Sequence, residues 1–165
     1  MNSSRPVPSP DDPLAPPALA WFCDLRVEVG APLVLGHGPH GMRRVVPITG
    51  GEAHGEGWRA RVLPGGADFQ LILSDTVSQL DARYGLETDA GDLIYVQNHA
   101  VRSAPPEVMA RLMRGEPVDP RQVYFRCSPR FETTSPALAW LGEKMFVGSG
   151  MRHPDSVVMR FFALV

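Results

Sequence analysis

Asp81 and Arg83 stand two residues apart in the run from Gln79 to Glu87, and Tyr124 and Arg126 stand two apart in the run from Val123 to Ser128. In an extended strand side chains alternate with period two, so each pair shares a face. Asp81 and Arg83 oppose Leu80, Ala82, Tyr84 and Leu86, while Tyr124, Arg126 and Ser128 oppose Val123, Phe125 and Cys127. Polar faces of this kind either meet water or, where a sheet closes on itself, line its interior. These carry isolated Asp, Arg and Tyr, not the lysine and threonine common on solvated strands. Turned inward and joined by Glu132, they would anchor an anionic or carbonyl-bearing ligand. The chemistry available is proton transfer without a cofactor. Glu132 or Asp81, raised in pKa by burial, would act as general base, and Tyr124 or Arg126 would stabilise an enolate or oxyanion. Asp81, Tyr124 and Glu132 are therefore the candidate catalytic residues, with Arg83 and Arg126 as binding residues. The competing reading makes Asp81 and Arg83 an ion pair that does no chemistry.

His54, on a strand between Gly51 and Gly55, could line the same cavity as a base that is neutral near pH 7. His37 and His40 could join it in a metal site, since imidazole suits zinc or iron. They lie in a Gly-Pro loop, however, and no H-E-x-x-H string appears, so no metal is expected. Gly36-His37-Gly38-Pro39-His40-Gly41 satisfies G-x-G-x-x-G literally. Pro39 and the following strand remove the helix that would hold a pyrophosphate, so this is read as a turn. Ser149 lies between two glycines but outside any G-x-S-x-G string, which argues against a hydrolase triad.

The elements that must position these residues are short and turn-bounded. Runs at Phe22 to Val29, Arg43 to Ile48, Trp58 to Leu63, Asp68 to Leu73, Ser78 to Thr88, Leu93 to His99, Val123 to Ser128, Met145 to Ser149 and Val157 to Val165 read as strands. Thr88 to Asp92 reads as a turn, with Gly91 free to take positive φ. Pro105 to Gly115 has proline and Glu107 at its start, arginine near its end and glycine beyond, the capping asymmetry of a helix. Its Met109, Leu112 and Met113 would cover a barrel end. Ser135 to Gly142 predicts a second, shorter helix. So many strands with two small helices point to an all-β fold, a single antiparallel barrel, closed or nearly closed, of roughly 8–10 strands around a small-molecule cavity.

Composition agrees. Of 165 residues 16 are glycine and 17 proline, which disfavours long helices, and 44% are apolar, enough for a core without disulfides or metal. The formal net charge of −2 offers no footprint for phosphate backbones, so nucleic acid is not an expected partner. Cys23 and Cys127 form no C-x-x-C pair. No apolar span suggests a membrane segment and the start lacks the order of a signal peptide, so a cytoplasmic protein is expected. Residues 1–17 hold six prolines and little apolar bulk. Residues 1–18 are accordingly read as a flexible tail and 19–165 as the barrel domain.

Arg43-Arg44-Val45-Val46-Pro47-Ile48-Thr49-Gly50-Gly51, Val62-Leu63-Pro64-Gly65-Gly66-Ala67-Asp68 and Leu80-Asp81-Ala82-Arg83-Tyr84 resemble strings of the family called domain of unknown function 3237. So do Pro105-Pro106-Glu107-Val108, Tyr124-Phe125-Arg126, Phe131-Glu132-Thr133, Trp140-Leu141 and Phe146-Val147-Gly148-Ser149-Gly150. The resemblance spans about residues 20–165 and implies an antiparallel barrel with a small-molecule cavity and no established general activity. It also supports the inward reading of Asp81, Arg83, Tyr124 and Arg126, which sit inside the matched strings; Trp140 is counted with the binding residues, beside the reading that Trp21, Trp58 and Trp140 pack the core or a subunit contact. His54 and Phe69 stand where the family more often has an aromatic and a tryptophan, and Gly142 where an asparagine is common. The reading that follows is a cofactor-independent lyase, isomerase or cyclase acting on a partly apolar, aromatic or terpenoid-like molecule. The alternatives are a lipocalin-like carrier and a solid structural barrel. A homodimer is expected from the apolar C-terminal run Val157 to Val165, which could serve an edge contact.

Overall fold

The computed structural model describes residues 12–165. Most of the proposed tail, residues 1–11, lies outside the described residues, and the first strand begins at Leu19. The elements in order are β1 (Leu19–Val29), β2 (Leu33–Gly38), β3 (Gly41–Gly55), β4 (Trp58–Val62), β5 (Gly66–Ile72), β6 (Val77–Thr88), β7 (Leu93–Ser103), α1 (Pro106–Met113), β8 (Tyr124–Thr133), β9 (Phe146–Arg152) and β10 (Ser156–Leu164). All pairings are antiparallel, and β1 pairs with both β10 and β3, so the sheet closes into a barrel.

Ten strands fill eight positions around that barrel. The long β3 meets β1 and β2 end to end along one side and β4 and β5 along the other. β6 then meets β4 through Leu86 to Thr88 and β5 through Ser78 to Arg83. The shortest seam joins β8 to β9, with only Arg126 opposite Ser149 and Cys127 opposite Gly148. Pro129, which has no N–H to give a ladder, is buried in β8 just beyond the point where that pairing stops.

Alternation decides the inside. β6 turns Ser78, Leu80, Tyr84, Leu86 and Thr88 inward, and β7 turns Ile94, Val96, Asn98, Ala100 and Arg102 inward. In β3 the phase changes part way. Arg44, Val46 and Ile48 are buried, then a bulge leaves Thr49 unpaired between Ile48 and Gly50, and the next buried position is Ala53. Gly51 has φ of 130°, and a Cβ there would collide with the Arg26 carbonyl, so glycine is needed to make this bend.

One end of the barrel is filled by aromatic rings. Phe131 meets Phe146 edge-on at 4.9 Å, and Phe22 lies 5.1–5.6 Å from Trp58, Phe131, Trp140 and Phe146. Such pairs add about 0.5–1.5 kcal/mol each beyond the area they bury. Residues Pro136–Gly142 close this end as a 3₁₀ segment, tighter than the helix the sequence suggests, with Ser135 making no side-chain cap and Leu141 buried. α1 forms as expected at the other end, with Gly115 at φ 76° beyond its last turn. It buries Val108, Met109 and Leu112 and packs near the β2–β3 and β5–β6 turns.

Two expectations change. The Gly-Pro loop around His37 is largely the strand β2, whose Gly36 and Gly38 hide its pattern. Val157 to Val165 has no free edge, because β10 lies between β1 and β9 and buries Met159, Phe161 and Ala163. Among the described residues the edge left unpaired belongs to β2. Among the described residues no helix is long and apolar enough to cross a membrane.

Candidate active site

The polar residues singled out in the sequence share faces as anticipated, but the faces are outer ones. Asp81 is held on the barrel exterior by Arg83 at 2.9 Å, with Gln97 and His99 beside it. Burial pulls its carboxyl up, but hydrogen bonds from Arg83 and Gln97 outweigh this, and the group sits below the ordinary carboxylate range. That is the reverse of the raised base anticipated. Tyr124 and Arg126 are exposed, the guanidinium 5.2 Å from the phenol ring centroid. Glu132 is exposed opposite Tyr95. His54 is exposed, its ring 6.5 Å from that of Trp21, because the β3 bulge puts Ala53 inside instead. Trp140 lies on the aromatic end, 39% exposed. These residues do not converge. His37 and His54 lie near opposite ends of β3, roughly 35–40 Å apart at the usual strand rise, so the three histidines do not meet either. The physical reason for the inversion is area: Leu80, Tyr84 and Leu86 remove far more apolar surface from water than Asp81 and Arg83 would.

The interior has its own polar cluster. Arg44 on β3, Asp68 and Gln70 on β5, Tyr84 on β6, Asn98 and Arg102 on β7 and Arg152 on β9 all face inward. All but Arg44 line one cavity, whose walls are otherwise apolar and include Val27, Ile48, Ala82, Ala100, Phe125 and Met159. The centre of a water molecule can occupy about 50 Å³ of it. Larger depressions of about 440 and 460 Å³ lie on the outer face and at the aromatic end, but they are more open to solvent. Cross-strand register sets part of the geometry: Val46, Asp68, Ala82 and Asn98 form one row across β3, β5, β6 and β7. The small side chain of Ala82 leaves room between Asp68 and Asn98.

A chain of hydrogen bonds fixes the Asp68 carboxyl. Arg44 Nε donates to Gln70 Oε1 at 2.7 Å, and Gln70 Nε2 donates to Asp68 Oδ2 at 2.6 Å. A guanidinium can only donate, so the Gln70 amide is held in this sense, and Oδ2 must accept. Any proton on Asp68 therefore sits on Oδ1. That atom is buried and has no hydrogen-bond partner in the protein, as is also true of Tyr84 Oη, Asn98 Oδ1, Arg102 Nε and Arg152 Nη1. Arg102 lies over the Phe125 ring, 5.9 Å from its centroid.

Charge in this space is unbalanced. Burial raises the Asp68 carboxyl, against the Gln70 hydrogen bond, the Arg102 charge, the Asp81 backbone N–H and the Arg44 charge, which lower it. Burial pushes Arg102 down to about 10 and lowers Arg44 and Arg152, leaving Arg102 cationic at neutral pH. Burial also pushes the Tyr84 phenol up, so it stays a donor. Among the described residues none of the ion pairs includes Asp68, Arg44, Arg102 or Arg152. Three guanidiniums thus face one carboxyl.

Sequence reading missed this set, yet a signal existed. Arg44 is in phase with Val46 and Ile48, and Arg102 with Val96 and Ala100. A charged residue in register with an apolar face is the mark of a buried polar site. The apolar faces were instead read only as core.

Fold and site together define a closed antiparallel β-barrel with an interior pocket lined by Arg102 and Arg152. The chain belongs to the family described as protein of unknown function (DUF3237), whose model matches residues 17–164. It is 51% identical over 119 residues to the UPF0311 protein RPA1785 of Rhodopseudomonas palustris, covering 72% of this chain and 78% of that protein. The crystal structure of that conserved protein of unknown function superposes with a TM-score of 0.86 at 42% identity, covering 91% of this chain and 98% of the other. A beta-barrel like protein from Acinetobacter baumannii gives 0.79 at 38% identity, over 91% and 97% of the two chains. An enzyme from Penicillium herquei gives 0.68 at 17% identity, over 92% and 96%, a likeness of fold alone.

Proposed function

We propose that the chain is a cofactor-independent acid–base catalyst of the lyase, isomerase or cyclase type, acting on a partly apolar small molecule that carries a carbonyl or hydroxyl group. The carrying observation is that five side chains around one interior cavity each present a buried polar atom with no protein partner. Native interiors rarely leave such atoms unmet, and their concentration in one space marks a place for a ligand. The apolar walls suit the carbon atoms next to the reacting group. The free volume takes only the reacting end of an aromatic or terpenoid-like substrate.

The chemistry follows from the free atoms. Asp68 Oδ1, as carboxylate, accepts a proton from the carbon next to a carbonyl. The C–H electron pair forms the new C=C bond, and the carbonyl π pair moves to oxygen, where Arg102 Nε–H and Tyr84 O–H stabilise the enolate. Return of the proton elsewhere completes an isomerisation; loss of a β leaving group completes an elimination. A carboxyl raised by burial is well suited to giving the proton back near neutral pH. Mass spectrometry of metabolite extracts incubated with wild type, Asp68→Asn and Glu132→Gln tests this. Turnover by wild type and Glu132→Gln but not by Asp68→Asn is the expected result. A compound retained unchanged by all three proteins favours the carrier reading, which the largely apolar cavity walls also support. Equal turnover with Asp68→Asn refutes the role given to Asp68.

A further inference from the structure

We propose that the interior site takes a small hydroxycarboxylate, its carboxylate met by Arg102 and Arg152 and its hydroxyl by Asn98 and Asp68. The proposal rests on the interior cavity being the ligand site, as argued above, and adds the class of ligand. The unmet atoms are of two kinds. Arg102 Nε, Arg152 Nη1 and Tyr84 Oη offer hydrogens, so the ligand must bring acceptors. Asn98 Oδ1 can only accept, so the ligand must also bring a donor. Arg102 and Asn98 are 2% and 5% exposed, so bulk water does not meet these needs.

Charge narrows the class further. With Asp68 ionised the cluster of Arg44, Asp68, Arg102 and Arg152 is still net positive, and with Asp68 protonated it is more so. Asp155, the other acid near Arg152, has a side chain 77% exposed and lies 3.8 Å from Arg26. A buried cation without a counter-ion is costly, and an anionic ligand supplies what the chain does not. A planar carboxylate fits a guanidinium through paired N–H groups. With about 50 Å³ of room for water centres, the acid and hydroxyl groups must sit close together on a short carbon skeleton. An α- or β-hydroxy acid has that form.

The test measures binding to the full chain by calorimetry, with lactate and 3-hydroxybutyrate as probes. Their methyl esters and the deoxy acids propionate and butyrate are the controls. A hydroxy acid should bind at least about tenfold more tightly than its ester and than its deoxy partner. Arg102→Met should abolish the preference for acid over ester, and Asn98→Ala the preference for hydroxy over deoxy, with the melting temperature of each variant showing that it folds. Equal affinity for acid and ester, or no binding by any probe, overturns the proposal. Proton exchange in deuterium oxide separates it from the catalytic reading. Binding of a hydroxy acid with no exchange at the carbon beside its carboxyl, and no product, keeps this proposal and removes catalysis on that ligand. Turnover of a neutral carbonyl compound by a protein that ignores every acid does the reverse.

Discussion

Replacing Arg102 by methionine should leave the protein at least as stable while removing its ligand. The guanidinium is 2% exposed, belongs to none of the ion pairs among the described residues and leaves Nε unmet. It also feels the charges of Arg44 and Arg152. Exchanging buried ionic groups for apolar ones of similar volume is commonly neutral or stabilising by about 1–4 kcal/mol. Against this stands the loss of the contact with the Phe125 ring, about 0.5–1 kcal/mol, and of a weak attraction to Asp68. A net change between about zero and a gain of about 3 kcal/mol remains. For a domain of this size each kcal/mol moves the melting temperature by about 2–4 °C, so Arg102→Met should melt no lower than wild type and up to about 12 °C higher. Urea titration and thermal scans near pH 7, without ligand, measure it. A loss of more than about 1 kcal/mol would show that Arg102 is a structural group, and the argument from uncompensated charge would fail.

Asp68→Asn should be at least as stable as wild type at neutral pH. A carboxyl raised in the folded state holds its proton where the unfolded chain has lost it, so wild-type stability falls as pH rises from the ordinary carboxylate range through the raised value, and the asparagine variant lacks that fall. Parallel pH–stability curves for the two proteins would contradict this. Gly51→Ala should lose about 2 kcal/mol or more, because its Cβ meets the Arg26 carbonyl at a φ of 130°; a change below about 0.5 kcal/mol in urea titration would mean that the bulge relaxes freely. The homodimer, proposed from the sequence through a C-terminal edge that is in fact paired, is better placed on the free edge of β2, where Leu33, Val34 and Leu35 are 59–63% exposed. Light scattering should give a dimer for wild type and a monomer for Leu33→Asp/Leu35→Asp, and a wild-type monomer removes the idea.

Most of the barrel was legible because its signals are local. Alternation in β6 and β7, the proline and glycine that bracket α1, and the turn at Gly91 depend on residues a few positions apart. β2 was not legible, since glycine at positions 36 and 38 removes the side chains that would show a pattern. The phase change in β3 was also hidden. The string Thr49-Gly50-Gly51 hints at an irregularity, but only pairing with Glu28 and Val29 shows that a residue is skipped and that His54 leaves the interior. The site itself failed at one step. Parity sorted the side chains of β6 and β8 correctly, but which face turns inward depends on the total area buried by all eight positions. Asp68, Tyr84 and Arg44 lay within strings already singled out; one inversion of face would have found them.

The seam between β8 and β9 gives the closed ring a weakest joint. Elsewhere neighbouring positions are stitched over long registers, up to eleven residue pairs between β6 and β7, whereas two pairs join β8 to β9. A ring under thermal agitation breathes where the fewest hydrogen bonds must part. Parting this joint separates Phe125 on β8 from Gly150 and Arg152 on β9, and Phe125 and Arg152 are walls of the interior cavity. Movement at this joint would therefore shift two walls of the interior pocket, Phe125 on one strand and Arg152 on the other.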